Sequence, residues 1–129
     1  MNIKAIIAAA TMAAFAISSP VAAKKKPDTL VAKADAKELD CVNLAQIRET
    51  RVRDDNTIDF HMQGGKIYRN TLPMRCPQLG FEEKFSYKTS LSQLCSTDII
   101  TVLTTTGGGL SPGASCGLGH FQEMVKATQ

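Results

Sequence analysis

Thr57-Ile58-Asp59-Phe60-His61-Met62-Gln63-Gly64-Gly65-Lys66-Ile67-Tyr68-Arg69-Asn70-Thr71-Leu72 is the stretch that decides the fold class. Polar and apolar residues alternate from Thr57 to Met62, placing Ile58, Phe60 and Met62 on one face of a strand. Asp59 and His61 fall together on the other face. Gln63-Gly64-Gly65 is a turn signal, because glycine supplies the positive φ that tight turns require. The chain then returns as a second strand from Lys66 to Leu72, where Pro73 ends it for want of a backbone donor. Two registers are open. A three-residue loop sets Phe60 opposite Tyr68, and a two-residue loop sets Met62 opposite Ile67.

Working outward, Ile47 to Arg53 reads as a strand that turns at Asp54-Asp55-Asn56. Lys84 to Thr89 alternates around Phe85 and Tyr87, and Asp98 to Thr105 is rich in β-branched residues. Gly107-Gly108-Gly109 and Ser111-Pro112-Gly113 read as a loop, followed by a last strand from Gly117 to Met124. Short helical turns are expected at Val42 to Ala45 and Ser90 to Leu94. The expected fold is mainly β: a small antiparallel barrel or curled sheet of about five to six strands, stapled by two disulfides.

The staples follow from the compartment. Lys4 precedes an uncharged run from Ala5 to Ile17, and Val21 and Ala23 occupy the positions that signal peptidase accepts. Residues 1–23 therefore read as a signal peptide, too short in its apolar run to be a membrane span. Residues 24–39, rich in Ala and Lys with Pro27 near the start, read as a flexible linker, 40–126 as the folded domain and 127–129 as a tail. The expected location is the periplasm or the exterior, with no stable membrane insertion after cleavage. Cys41, Cys76, Cys95 and Cys116 contain no close pair, which speaks against a zinc or dithiol site and for two disulfides. Of three possible pairings, Cys41–Cys116 with Cys76–Cys95 is favoured, on the expectation that the first and last parts of the domain neighbour each other.

Acidic and basic residues balance from Asp40 to Gln129, so bulk charge gives no reason to expect a nucleic-acid partner. The chain has no Trp, and nothing in it resembles a base-stacking platform. The sequence contains no nucleophile motif, phosphate loop or calcium loop, and no cofactor is expected. His61 with Asp59 is the one acid–base pair the strand pattern offers, with Arg69 available to hold an anion. Arg48, Arg51 and Arg53 form a basic cluster facing Glu49, Asp54 and Asp55, read as a salt-bridged surface. His120, in Cys116-Gly117-Leu118-Gly119-His120-Phe121, could stand near Cys116 or line a groove, and is read as having no chemical role. A binding role points to the glycine loop instead, through Gly107, Gly108, Gly109 and Ser111, since loops on rigid scaffolds commonly carry contacts.

Several pieces together carry a resemblance: Arg51-Val52-Arg53-Asp54-Asp55, Tyr68-Arg69-Asn70-Thr71-Leu72-Pro73 with Cys76-Pro77, Leu94-Cys95-Ser96-Thr97-Asp98, and Cys116-Gly117-Leu118-Gly119-His120-Phe121. They resemble a family of small exported four-cysteine proteins from Gram-negative bacteria, known as a domain of unknown function. The resemblance implies an extracytoplasmic, cysteine-containing domain and no particular activity. The leading expectation is non-catalytic binding of an envelope protein or cell-wall component. The rival is a small hydrolase or transferase using His61 and Asp59.

Overall fold

The computed structural model describes residues 28–89 and 91–127. The signal-peptide reading of 1–23 lies outside them, as do the start of the linker and the last two residues.

β1 (Leu30–Ala32) and β2 (Cys41–Asn43) lead into a 3-10 turn at Leu44–Gln46, where the Asn43 side chain accepts the Ala45 N–H at 2.9 Å. β3 (Ile47–Asp54), β4 (Thr57–Met62) and β5 (Ile67–Thr71) form an antiparallel meander. The β4–β5 hairpin takes the three-residue loop: Phe60 stands opposite Tyr68, and Met62 N–H donates to the Lys66 carbonyl at 2.8 Å. Gly64 and Gly65, at φ of 86° and 95°, make that turn without a Cβ penalty. α1 (Leu79–Glu82) follows, then β6 (Phe85–Tyr87), β7 (Gln93–Cys95), β8 (Ile99–Thr106), β9 (Gly109–Gly117) and β10 (Phe121–Lys126).

The strands assemble into three antiparallel sheets: β1-β10-β5-β4-β3, β6-β8-β9, and the pair β2-β7. One core joins them. Ile58 and Phe60 from β4, Phe121 from β10, Ile100 and Val102 from β8, Leu94 from β7 and Leu79 from α1 are all fully buried. Phe60 and Phe121 meet edge to face with centroids 5.4 Å apart, each ring contributing about 2–3 kcal/mol by leaving water.

Local chemistry explains how the sheets are tied. Asn70, fully buried on β5, donates to the Gly119 carbonyl at 2.6 Å and accepts the Gly119 N–H at 2.8 Å. Gly119 must be glycine, because a Cβ there would run into the Thr71 carbonyl. The Asp55-Asn56 turn holds the opposite end. Asp55 accepts from Gly80 N–H at 2.8 Å and Arg75 Nε at 2.9 Å, its carbonyl accepts Cys76 N–H at 2.9 Å, and the Asn56 carbonyl accepts Leu72 N–H at 2.7 Å.

The fold is mainly β and antiparallel as expected; among the described residues no ladder closes on itself, since β1 and β3 end the large sheet, so no closed barrel is seen. Several other expectations are corrected. The described residues hold ten strands instead of about five to six, the shortest too brief to register as patterns. Residues 30–32 of the supposed linker pair with β10, Leu30 opposite Lys126 and Ala32 opposite Met124. The expected loop from Gly107 to Gly113 is mostly strand β9, and only Gly107-Gly108 turns, at φ of 57° and 87°; Pro112 is admitted because β9 is an edge. Of the helical turn expected from Ser90 to Leu94, Ser90 lies outside the described residues, and Gln93 and Leu94 belong to β7.

The disulfides are Cys41–Cys95 and Cys76–Cys116, not Cys41–Cys116 and Cys76–Cys95. The expected meeting of first and last segments does occur, but two residues earlier: Leu39 and Phe121 exchange backbone hydrogen bonds of 2.9 Å. The chain then leaves the large sheet, and Cys41 lands opposite Cys95 in the β2–β7 ladder, with Cα atoms 4.0 Å apart. Cys116 stands on β9, not on the last strand, and reaches buried Cys76 in the segment between β5 and α1.

Candidate functional site

The polar face of β4 lies within the large sheet, flanked by β3 and β5. Alternation puts Asp59 there, and the hairpin register sets Asp59 directly between Arg51 on β3 and Arg69 on β5. Asp59 is only 1% exposed, so its charge must be met, and Arg69 meets it in two-pronged fashion: Nε to Oδ1 at 2.7 Å and Nη2 to Oδ2 at 2.9 Å. The other edge of the same guanidinium receives Asp28, Nη1 to Oδ2 at 2.5 Å and Nη2 to Oδ1 at 3.2 Å. Arg69 is thus sandwiched between two carboxylates.

Arg53 completes the group. A register shift between Val52 and Asp54 leaves it as the bulged residue of β3, and a bulge re-aims the side chain. Its Nη2 approaches Asp28 Oδ1 at 3.7 Å and its Nε approaches Asp59 Oδ2 at 4.0 Å. Among the described residues it makes no side-chain hydrogen bond. Arg51, by contrast, is paired with Glu49 at 2.6 Å. The salt-bridged surface expected of this cluster is present, but Arg53 turns to Asp28 and Asp59 instead of Asp54 and Asp55, and Asp55 takes Arg75 at 2.8 Å.

These contacts set the ionisation. Donation from Arg69 holds the Asp28 carboxyl below its usual range, against the opposing effect of burial. Hydrogen bonding to Asp59 raises Arg69 still further above its ordinary value, with Asp28 adding to the effect. His61 is lowered, by burial first and then by Arg51, while Glu49 and Asp59 pull the other way.

An open cleft of about 1020 Å³ runs along this region, with Asp28, Arg53, Arg69, Thr57, Gly80 and Glu83 among its walls. The structure therefore brings Asp59 and Arg69 together as an ion pair. His61 shares their face, but its nearest carboxylate is Glu49, 4.0 Å from Nδ1. Gly107 and Gly108 sit at the tip of the β8–β9 hairpin in the other sheet, with Gly109 opening β9. Ser111 is used within that hairpin: its hydroxyl lies 2.9 Å from Thr106 Oγ1, and its carbonyl accepts Thr104 Oγ1 at 3.1 Å. His120 is exposed and pairs with exposed Asp40 at 2.7 Å. No group of His, Cys, Asp and Glu poised to hold a metal occurs among the described residues, and all four cysteines are consumed in disulfides.

Asp28 is the site residue that sequence reasoning missed. Its partner lies 41 positions away, and nothing local marks it. No family model, curated protein or solved structure matches this chain.

Proposed function

We propose that this chain is an exported periplasmic or secreted domain that binds a protein or envelope component without transforming it, and that the cleft at Arg53 is where it does so. On the same reading it belongs with the small exported four-cysteine proteins it resembles. The observation that carries the proposal is the loose hold on Arg53, whose carboxylate contacts are 3.7 and 4.0 Å with no side-chain hydrogen bond among the described residues, on the wall of an open cleft where Arg51 and Arg69 each lie within 2.7 Å of a carboxylate. Two disulfides support the extracytoplasmic setting, since such bonds persist in oxidising compartments. No helix among the described residues is long and apolar enough to cross a membrane.

The hydrolase or transferase reading draws no support from the geometry. Its supposed base-orienting carboxylate, Asp59, is 1% exposed and committed on both oxygens to Arg69. The contact element also moves, from the glycine turn to the cleft. A pull-down from envelope extract with the oxidised protein tests this. Arg53→Ala is expected to lose the captured partner, and a chain with the Gly107-Gly108 tip replaced by Asn-Gly is expected to keep it. Capture that survives Arg53→Ala and fails with the altered tip would return the contact to the β8–β9 hairpin and sink the proposal.

A further inference from the structure

We infer that Arg53 and Arg69 form a carboxylate clamp, that Asp28 is its built-in occupant, and that an acidic side chain of a peptide partner displaces it, glutamate better than aspartate. The inference rests on the binding reading above and names the chemistry of its ligand.

Arg69 is preset for the task. The buried Asp59 fixes Nε and one lobe of Nη2, leaving the Nη1–Nη2 edge aimed outward at the oxygens of Asp28. A planar two-oxygen acceptor fits that edge, as the seated carboxylate itself demonstrates. The clamp is only half engaged, however, because Arg53 Nη2 stops 3.7 Å from Asp28, beyond hydrogen-bond reach. The Asp28 oxygen that faces Arg53 is itself tethered. This Oδ1 accepts Leu30 N–H at 3.1 Å, and Leu30 begins the strand that pairs with β10. A carboxylate arriving on a longer, untethered stem can sit between both guanidiniums. Asp28 has a path into water, as its side chain is already 38% exposed.

The surrounding charges select the ligand. Asp54, Asp55 and Glu83 line the same cleft, with Asp54 held by Asn56 N–H and Asp55 by Arg75 and Gly80. Those acids repel a phosphate dianion more strongly than a single carboxylate.

The test titrates the oxidised full chain with N-acetylglutamic acid α-amide, N-acetylaspartic acid α-amide and inorganic phosphate, following the arginine Nε–Hε resonances by NMR. Asp28→Ala is expected to bind the glutamate probe roughly tenfold or more tightly than the parent, because a tethered competitor has been removed. The shifts should fall on Arg53 and Arg69, and adding Arg53→Ala should abolish the gain. Asp28→Asn, which keeps an acceptor for Leu30, serves if the alanine variant fails to fold. Unchanged affinity in a folded Asp28 variant overturns the inference, as does a gain that survives the loss of Arg53 or phosphate binding as tight as that of the carboxylate. A silent clamp with envelope capture intact overturns this inference alone. A working clamp with capture indifferent to Arg53→Ala overturns the broader binding reading alone.

Discussion

Asp59 shows what a single buried charge demands of its neighbours. Removing its counter-ion would leave an uncompensated carboxylate 1% exposed, so Arg69→Ala should cost about 3 kcal/mol or more, read as a fall in the urea midpoint at constant slope. Asn70 poses the neutral version: it is fully buried, and its amide satisfies both polar groups of the Gly119 peptide. Asn70→Ala should cost about 1–3 kcal/mol, and Gly119→Ala should cost more, because the Thr71 carbonyl has to move. His61 has a depressed folded value against an ordinary one of 6.5, so the unfolded chain takes up its proton first. Its share of stability is complete above about 6.5 and declines as pH falls below that. A His61→Gln variant should show a flatter pH dependence of the thermal midpoint as the pH falls below about 6.5, and an unchanged slope would remove His61 as the source. The facing of Asp59 and His61 was legible from alternation alone. The partner of Asp59 was legible only once the hairpin register was known.

Among the elements, legibility follows the pattern of the chain itself. β4, β5 and β8 carry their own signal, through alternation or β-branched density, and the structure holds them within a residue or two of the expected bounds. β1 and β9 carry none. β9 reads Gly-Leu-Ser-Pro-Gly-Ala-Ser-Cys-Gly and is a strand because β8 supplies it with a ladder; a bulge opposite Val102 absorbs Gly113, where a Cβ would come within 2.9 Å of Thr104. The turn joining them needs two residues with positive φ, as a type I′ hairpin does. Gly108→Val should therefore cost about 1–2 kcal/mol in thermal unfolding, while Gly107→Asn should cost little, since asparagine tolerates this conformation.

Over the whole molecule, the two disulfides interleave along the chain, spanning 54 and 40 residues; one lies across a single ladder and the other joins a loop to a strand of a different sheet. Cys41 and Cys95 staple the small β2–β7 ladder, and Cys76 and Cys116 fasten the exit of the large sheet to the end of β9. Replacing Cys41 and Cys95 together by serine should cost about 2–4 kcal/mol in the denaturant midpoint. Peptide mapping of the unreduced chain should recover Cys41 linked to Cys95. A Cys41–Cys116 fragment would contradict the fold. The sequence by itself determined the β class, the central hairpin, the consumption of four cysteines in two bridges and the face shared by Asp59 and His61, because each depends on residues within a strand's length or on composition. Only the tertiary structure decided the pairing of the cysteines, the capture of residues 30–32 by β10 and the meeting of Asp28, Arg53 and Arg69. Those contacts join chain segments tens of residues apart, and their positions are set by how three sheets close on one core, which no local pattern records.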